Sequence, residues 1–227
     1  MKPIHIAIAL MFVLTSCKKE TSEQTIVAPP EKELKQPESI QEKVAYAYGI
    51  DQWVNVKQVD FSFVVNPGEQ EFVRRWSWQP KLKLISLIKE DDTLTYNRND
   101  IKEELVQTDK GFVNDSFWLL FPFHLVWDDV EIETFEDQTS PILKQSSTKL
   151  NVIYPAEGGY TPGDRYEVYV NDTYHILEWT YHRGGGEEVS LGNTFEKQQT
   201  FSGITIDMEH ANPETGFQLN FRDVVIK

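Results

Sequence analysis

The run "DRYEVYVNDTYHILEWTYH", residues 164–182, decides the fold of this chain. Apolar and polar side chains alternate through both of its halves, and the pair Asn171-Asp172 between them is typical of a tight turn. A period of two places every second side chain on the same side of a β-strand. The run therefore predicts two antiparallel strands joined as a hairpin. The shared faces carry Tyr166, Val168, Val170, Leu177, Trp179 and Tyr181.

The same alternation recurs along the chain from residue 59 onward. Short turn signals follow some of the runs at Asn66-Pro67-Gly68, Gln79-Pro80 and Asp91-Asp92. The sequence thus predicts roughly nine or more antiparallel strands, each with one apolar face. Because such a sheet must curl or be covered, a barrel or a half-barrel capped by helices is the expected form. The further runs are "VDFSFVV" (59–65), "EFVRRWSWQP" (71–80), "KLKLISLIKE" (81–90), "STKLNVIYP" (147–155), "FSGITIDMEH" (201–210) and "GFQLNFRDV" (216–224).

A short helix is predicted at the start of the folded part. Ser39 and Glu42 have the spacing of a capping box, in which the two residues satisfy each other's free backbone N–H groups. Ile40 and Val44 fall on one face of such a helix, and Gly49 is a suitable residue to end it.

The first sixteen residues are predicted to be a lipoprotein signal peptide. Their apolar run is too short to span a bilayer, which needs roughly 20 residues. Leu14-Thr15-Ser16-Cys17 resembles the bacterial lipobox, which implies that Cys17 becomes the acylated first residue of the mature protein. The alternative is an ordinary cysteine at the end of a secretory signal. Residues 17–38, rich in proline and charge, predict a disordered tether, and Lys18 after the cysteine favours the outer membrane by enterobacterial analogy.

Residues 39–227 are long enough for one hydrophobic core and are predicted to form a single domain. The chain has one cysteine, so neither an intramolecular disulfide nor a cysteine-pair zinc site is possible. A net charge of −14 argues against binding to nucleic acid or to an anionic membrane surface. The predicted partners are the membrane, through acyl chains, and a lipid or lipoprotein ligand, with no cofactor and no metal.

The run "NDSFWLLFPFHLVWDD", residues 114–129, is the most apolar stretch of the chain outside its first sixteen residues. Its eleven central residues are too few to span a bilayer, for which about 20 are needed. Pro122 predicts that any helix breaks near Phe121, because proline lacks the N–H group and clashes with the preceding turn. We expect a short helix or turn, capped by one of the residues 114–116, followed by an extended piece. Residues 117–125 are then predicted to be a lid over the concave side of the sheet.

Four blocks of sequence lie between residues 47 and 210 in a characteristic order. The blocks are "AYGIDQWVNVKQVDFSF" (47–63), "DSFWLLFPFHLVWDD" (115–129), "EGGYTPGDRYEVYVNDTYHILEWTYH" (157–182) and "TFEKQQTFSGITIDMEH" (194–210). They resemble a family of uncharacterised Bacteroidota lipoproteins that is similar to the LolA/LolB lipoprotein-carrier superfamily. This resemblance implies a curved, unclosed antiparallel half-barrel, closed by helices, that holds acyl chains in its concave face. Ile50 stands where the family has a second glycine, and His124 where it has a lysine.

Histidine is the residue type most often used in catalysis and metal binding at neutral pH. His175 and His182 lie on one predicted strand at an odd separation, so they point to opposite faces and cannot share a metal ion. His124 in the apolar run could act as a base, but the predicted turn places no serine, cysteine or aspartate near it. Packed or solvated histidines are therefore the expected reading of these positions.

Two further patterns have simpler structural explanations. The stretch "RGGGEE", residues 183–188, lacks the following helix of a phosphate-binding loop and predicts a hairpin loop. A second stretch is strongly acidic but contains no glycine for the bend of a calcium loop, so a solvated strand edge is expected. Its acidic residues are Asp128, Asp129, Glu131, Glu133, Glu136 and Asp137.

Large aromatic side chains are the candidate ligand-binding residues. They either line a concave pocket or fill the core, and both roles are energetically useful, because each buries about 150–250 Å². The favoured function is a lipid-anchored envelope protein that binds an acyl chain, lipid or lipoprotein, and the alternative is a non-catalytic scaffold with a filled core. An enzyme is the least favoured class, since no nucleophile–base or metal-ligand spacing occurs. The candidate residues are Trp76, Trp78, Phe117, Trp118, Phe121, Phe123 and Trp179.

Overall fold

The computed structural model describes residues 36–66 and 70–227. Residues Gln36–Lys227 form one compact unit, and the hydrophobic core of the described residues lies within it. The signal peptide, Cys17 and most of the predicted tether lie outside the described residues. So does the Pro67-Gly68 part of the first predicted hairpin turn.

The described residues contain two α-helices and twelve β-strands. The helices are α1 (Ile40–Ala47) and α2 (Val106–Trp127). The first six strands are β1 (Val59–Val65), β2 (Phe72–Gln79), β3 (Leu84–Ile88), β4 (Thr93–Asn97), β5 (Glu131–Thr139) and β6 (Ser146–Ile153). The remaining strands are β7 (Arg165–Val170), β8 (Ile176–His182), β9 (Leu191–Thr194), β10 (Glu196–Phe201), β11 (Ile204–Asn212) and β12 (Phe217–Ile226).

The strands form two open, curved antiparallel sheets. One sheet has the order β10-β11-β12-β1-β2-β3-β4 and the other has the order β5-β6-β7-β8-β9. Every pairing in both sheets is antiparallel. The prediction of a mainly β fold with curved antiparallel strands and accompanying helices is confirmed.

One nearly continuous stretch of chain joins the two sheets. Only Phe195 separates β9, which pairs with β8, from β10, which pairs with β11. The Phe195 N–H donates to the Leu177 carbonyl at 2.8 Å, and the Thr194 hydroxyl donates to the Ala211 carbonyl at 3.0 Å. The strand therefore leaves the edge of one sheet and enters the edge of the other.

Helix α1 forms where the capping residues predict it. The Ser39 hydroxyl accepts a hydrogen bond from the Glu42 N–H, and the Glu42 carboxylate accepts one from the Ser39 N–H at 3.0 Å. The chain leaves the helix through Gly49, which has a φ of 85°. A Cβ atom at this position would lie 2.0 Å from the Gly203 carbonyl oxygen, so the close approach of β11 also requires glycine here.

Helix α2 corrects the prediction for the apolar run. It begins at Val106, continues through Pro122 and ends at Trp127, so the expected extended piece is helical and Asp115 lies inside the helix rather than at its cap. The helix accommodates the proline by a kink at Leu120, whose φ of −122° is not helical. Continued burial of apolar side chains beyond the kink accounts for the continuation. None of the helices in the described residues is long and apolar enough to cross a bilayer.

Helix α2 packs between the concave faces of the two sheets. Phe112 on its first half contacts Trp76 of β2, with ring centroids 5.5 Å apart. Phe121 on its second half contacts Trp179 of β8, with centroids 4.5 Å apart. The apolar run is therefore for the most part the centre of the core, and only part of its surface is left to form a wall facing solvent.

Strand β8 departs from the expected single buried face. Its second face is also buried, although it carries the polar residues Glu178, Thr180 and His182. The loop before β6 covers this face, because the backbone N–H groups of Ile142 and Leu143 donate to the two Glu178 carboxylate oxygens at 2.6 and 2.7 Å. A buried carboxylate with two such donors remains satisfied without water, and strand alternation alone gives no indication of this cover.

Candidate ligand-binding cleft

A cleft of about 1260 Å³ that opens to solvent runs beside α2. Its walls come from α2, from the inner faces of β2 and β8, and from the loop between β6 and β7. The volume lies somewhat above the range that is typical of small-molecule sites, which is roughly 300–1,000 Å³. The aromatic side chains that form much of its surface include Trp53, Trp78, Phe117, Trp118, Tyr166 and Trp179.

The seven aromatic candidates divide into two groups. Trp78, Phe117, Trp118 and Trp179 line the cleft. Trp76, Phe121 and Phe123 are fully buried in the core and do not line it. Helical spacing explains part of this division, because residues 117 and 118 point to one side of α2 while residues 119 and 123 point into the core.

Trp179 is the centre of the aromatic wall. Its ring lies 4.8 Å from that of Trp118 and 6.0 Å from that of Phe117, measured between centroids. Its indole N–H donates to the Asn193 side-chain oxygen on the neighbouring strand β9. The hydrogen bond fixes the ring plane, so the wall that Trp179 presents to the cleft is preorganised.

Sequence reasoning missed an aromatic cluster at one end of the cleft. Trp53 lies in a short 3₁₀ turn, Ile50–Asn55, and its ring is 5.3 Å from Trp78 and 4.9 Å from Trp127. Trp127 is partly exposed at the end of α2. Helical spacing applied to the whole apolar run would have placed Phe123 beside Trp127, since they are four residues apart.

A polar group of three side chains lies in the cleft wall. His124 Nδ1 lies 2.9 Å from an Asp128 oxygen, and the Tyr154 hydroxyl donates to the same carboxylate at 2.8 Å. Burial favours a higher pKa for Asp128, but the hydrogen bonds and charge from His124, with the Tyr154 hydroxyl, lower it below its usual value. Asp128 is therefore an anionic acceptor, and His124 carries a proton on Nδ1.

The expectation that no aspartate lies near His124 is wrong. It assumed an extended segment after Pro122, whereas the continuous helix brings residues 124 and 128 together as an i,i+4 pair. Asp128 is likewise not simply part of a solvated edge. The other members of the acidic cluster fit that prediction better, because β5 is an edge strand whose residues are largely exposed.

A second carboxylate holds the rim of the cleft together. Asp109 is fully buried and accepts hydrogen bonds from the Tyr96 hydroxyl at 3.0 Å, from Arg98 Nε at 2.9 Å and from the Tyr160 hydroxyl at 2.8 Å. Tyr160 belongs to the loop between β6 and β7, and Lys110 lies over its ring at 5.3 Å. This contact fastens the loop to the first turn of α2.

The cleft carries charge of both signs as well as aromatic surface. An amphiphilic ligand therefore finds polar groups at the margins of an apolar wall. The basic lining residues are Arg98, Lys110 and Arg183, and the acidic ones are Asp128, Asp129, Glu157 and Asp164.

The remaining histidines and loops are placed as follows. His175 contacts Thr173 and Tyr48, whereas His182 is buried and contacts Thr180 and Gly186, so the two are separate as predicted. The glycine-rich stretch forms the turn between the antiparallel strands β8 and β9, which confirms the hairpin prediction. Within residues 36–66 and 70–227 no three His, Cys, Asp or Glu side chains converge as metal ligands do.

The fold and the cleft define an open antiparallel β half-barrel with a central helix and an aromatic binding surface. Among solved structures, the chain is similar to a DUF1329 family protein from Desulfovibrio piger, with 11% identity over 83% of this chain and 93% of that one and a TM-score of 0.42. It is also similar to an outer membrane lipoprotein-sorting protein domain from Vibrio parahaemolyticus, with 13% identity, coverage of 82% and 93%, and a TM-score of 0.39.

A third similar structure is the Mycobacterium tuberculosis lipoprotein LppX, with 10% identity over 80% of this chain and 93% of that chain and a TM-score of 0.27. Comparison of the sequence with protein-family models and with curated proteins gives no match. These structural likenesses are distant, and the fold assignment rests on the strand pairing of this chain.

Proposed function

We propose that the cleft beside α2 binds an apolar or amphiphilic ligand such as an acyl chain, a lipid or a lipoprotein. The observation that carries the proposal is the continuous aromatic wall of an open cleft of about 1260 Å³. A core filled only by its own side chains needs no such opening. Contact with an acyl chain removes about 25 cal/mol of unfavourable hydration for each Å² of apolar surface that is buried.

The resemblance of Leu14–Cys17 to a lipobox supports a further part of the proposal, that the protein is anchored in the cell envelope by acyl chains on Cys17. Two or more chains give stable anchoring, whereas one is marginal. The residues between Cys17 and α1 are rich in charge and proline and are proposed to act as a tether. The outer membrane is the proposed location, with the cleft carried on the tether.

Replacement of Cys17 by alanine is expected to abolish acylation, because the chain has no other thiol. Mass spectrometry should show loss of the acyl mass, and fractionation should show the protein leaving the membrane for the soluble envelope fraction. Ser22→Ala, a similar change within the tether, should preserve both. Membrane retention of a non-acylated Cys17→Ala protein would contradict the anchoring proposal.

Replacement of Trp118 by alanine tests the binding proposal. The half-buried ring lines the cleft and contacts Trp179. Its loss removes contact area from the ligand, so the affinity for the apolar dye N-phenyl-1-naphthylamine is expected to fall about tenfold. The cost in stability is expected to stay below the roughly 3–5 kcal/mol typical of a fully buried tryptophan. Dye titration and denaturant melts of residues 36–227 measure the two quantities.

Trp76→Phe provides the matched control, because Trp76 is fully buried and does not line the cleft. This variant should lose stability but keep its affinity for the dye. If the wild-type unit melts cooperatively but binds no apolar dye, the carrier proposal fails and the scaffold alternative is favoured.

A further inference from the structure

Two polar atoms at the cleft wall have no protein partner. His124 donates from Nδ1 to Asp128, and its Nε2 makes no hydrogen bond within residues 36–66 and 70–227. The Tyr166 hydroxyl likewise makes no hydrogen bond in the part of the chain that the structure describes. Both residues line the cleft. The described polar atoms that are completely buried and lack a partner belong to other residues. Both side chains therefore bring to the cleft wall a polar atom that no described protein group engages.

The two groups flank the same side chain. The ring centroid of Phe117 lies 4.9 Å from that of His124 and 5.5 Å from that of Tyr166. Phe117 in turn stacks on Trp179 at 6.0 Å. A ligand group that contacts both polar atoms thus lies directly beside the aromatic wall.

We propose that His124 and Tyr166 bind the carboxyl group of a long-chain carboxylic acid whose hydrocarbon chain lies along this wall. The inference rests on the proposed function of the cleft and adds the chemical class of the ligand. One carboxyl oxygen shares a proton with Nε2, either as a carboxylic acid beside neutral imidazole or as a carboxylate beside imidazolium. The other oxygen accepts a hydrogen bond from the Tyr166 hydroxyl.

The surroundings of the two groups prepare them for this role. Asp128 accepts the Nδ1 proton and so fixes the tautomer and orientation that leave Nε2 for the ligand. Burial, with the nearby charge of Asp164, raises the pKa of Tyr166, so its hydroxyl remains a donor. The two Asp164 oxygens accept hydrogen bonds from the Tyr181 hydroxyl at 2.9 Å and the Gly184 N–H at 2.8 Å, so each already has a donor other than Tyr166.

A carboxyl group fits these atoms better than other polar ends of a lipid chain. An ester carbonyl offers no proton and no charge to share with Nε2, and an alcohol, although its hydroxyl can donate to Nε2 and accept from Tyr166, carries no charge. Hydrogen bonds that involve a charged group are stronger than neutral ones. The expected preference for the acid over its methyl ester is about tenfold or more.

The experiment is displacement of N-phenyl-1-naphthylamine from residues 36–227 by palmitic acid, methyl palmitate and hexadecanol. His124→Leu and Tyr166→Phe should each weaken palmitic acid about tenfold and leave methyl palmitate unchanged. His124→Gln keeps both a hydrogen-bond donor and an acceptor and should restore part of the affinity. Tyr169→Phe is the control, because Tyr169 lies on the opposite face of β7 with its hydroxyl bonded to Glu167.

Equal affinity of the wild-type unit for all three compounds, or equal weakening of all three by Tyr166→Phe, would overturn the carboxyl site while leaving the apolar cleft intact. Tyr166→Phe removes one oxygen atom, so it keeps the test valid if His124→Leu fails to fold. Absence of dye and lipid binding in a cooperatively melting wild-type unit would overturn the proposed function and this inference together.

Discussion

Replacement of Asp115 by leucine is expected to lower the free energy of unfolding by about 2–4 kcal/mol, because it leaves the partly exposed Arg74 guanidinium without its partner and the buried Trp76 N–H without an acceptor. Asp115 is fully buried on α2 and receives hydrogen bonds from Arg74 Nε at 2.6 Å and from the Trp76 indole N–H at 2.7 Å. Burial raises the pKa of Asp115 in spite of these donors. Burial of the carboxylate is therefore costly in itself. Asp115 stabilises the fold because it accepts hydrogen bonds from two side chains of β2, Arg74 and Trp76. Denaturant melts of residues 36–227 measure the loss.

The double variant Arg74→Met with Asp115→Leu separates the two effects. Removal of both charges leaves no unpaired ion, so the double variant is expected to be more stable than Asp115→Leu alone by about 1–2 kcal/mol, since solvent partly screens the Arg74 guanidinium. The Trp76 N–H still lacks an acceptor, which costs about 1–3 kcal/mol and prevents full recovery. A double variant less stable than the single one would show that the pair itself, and not the orphaned arginine, supplies the stability.

The Arg74–Asp115 pair also shows where sequence reasoning reaches its limit. Arg74 interrupts the apolar face of β2 in the sequence, which is an anomaly when the strand is considered alone. The anomaly disappears once α2 crosses that face and presents a carboxylate to it. Alternation predicts which side of a strand is buried, but the residue that meets an arginine there is set by packing between elements that are distant in sequence.

The strands and the first helix follow from local patterns, and these were predictable. Alternation in β7 and β8 and the capping box at Ser39 depend only on neighbouring residues. Helix α2 was not predictable from the same rules, because the penalty of Pro122 is a local quantity whereas the burial that offsets it is not. Since the helix was missed, so was the His124–Asp128 pair, whose i,i+4 spacing is visible in the sequence once a helix is assumed.

The aromatic candidates also combine a feature that local sequence predicts with one that depends on packing between distant elements. Their number and size indicated an aromatic interior, and all seven lie in it or at its surface. Which of them face the cleft depends on the rotation of α2, and this is set by buried contacts such as Phe121 with Trp179. The cleft residue Tyr166 came from a strand that sequence reasoning treated as having an ordinary apolar face, and Trp53 was not among the candidates.

His210 is expected to cost the fold about 5 kcal/mol of stability as the pH falls from about 6.5 to about 3. The ring is fully buried beside Phe195 and Trp118, its Nδ1 lies 3.2 Å from the Thr194 carbonyl oxygen, and its Nε2 has no hydrogen-bond partner among the described residues. Burial lowers its pKa to about 3, against the weaker opposing effect of the Thr194 carbonyl. Between these pH values the unfolded chain binds the proton and the folded one does not, so stability rises with pH.

His210→Phe keeps an aromatic ring but removes the titration, so the stability lost between pH 7 and pH 4 should be smaller than in the wild type by about 3 kcal/mol. Asp207→Asn is the opposing control. Burial raises the pKa of Asp207 to about 6, partly offset by hydrogen bonds from Gln198 and Tyr48, so the folded state holds a proton that the unfolded state has lost. Asp207 therefore makes the fold more stable as the pH falls from 6 to 4, and Asp207→Asn should steepen the acid loss that His210→Phe relieves. Denaturant melts at a series of pH values measure both slopes, and equal slopes for the wild type and His210→Phe would show that acid sensitivity originates elsewhere.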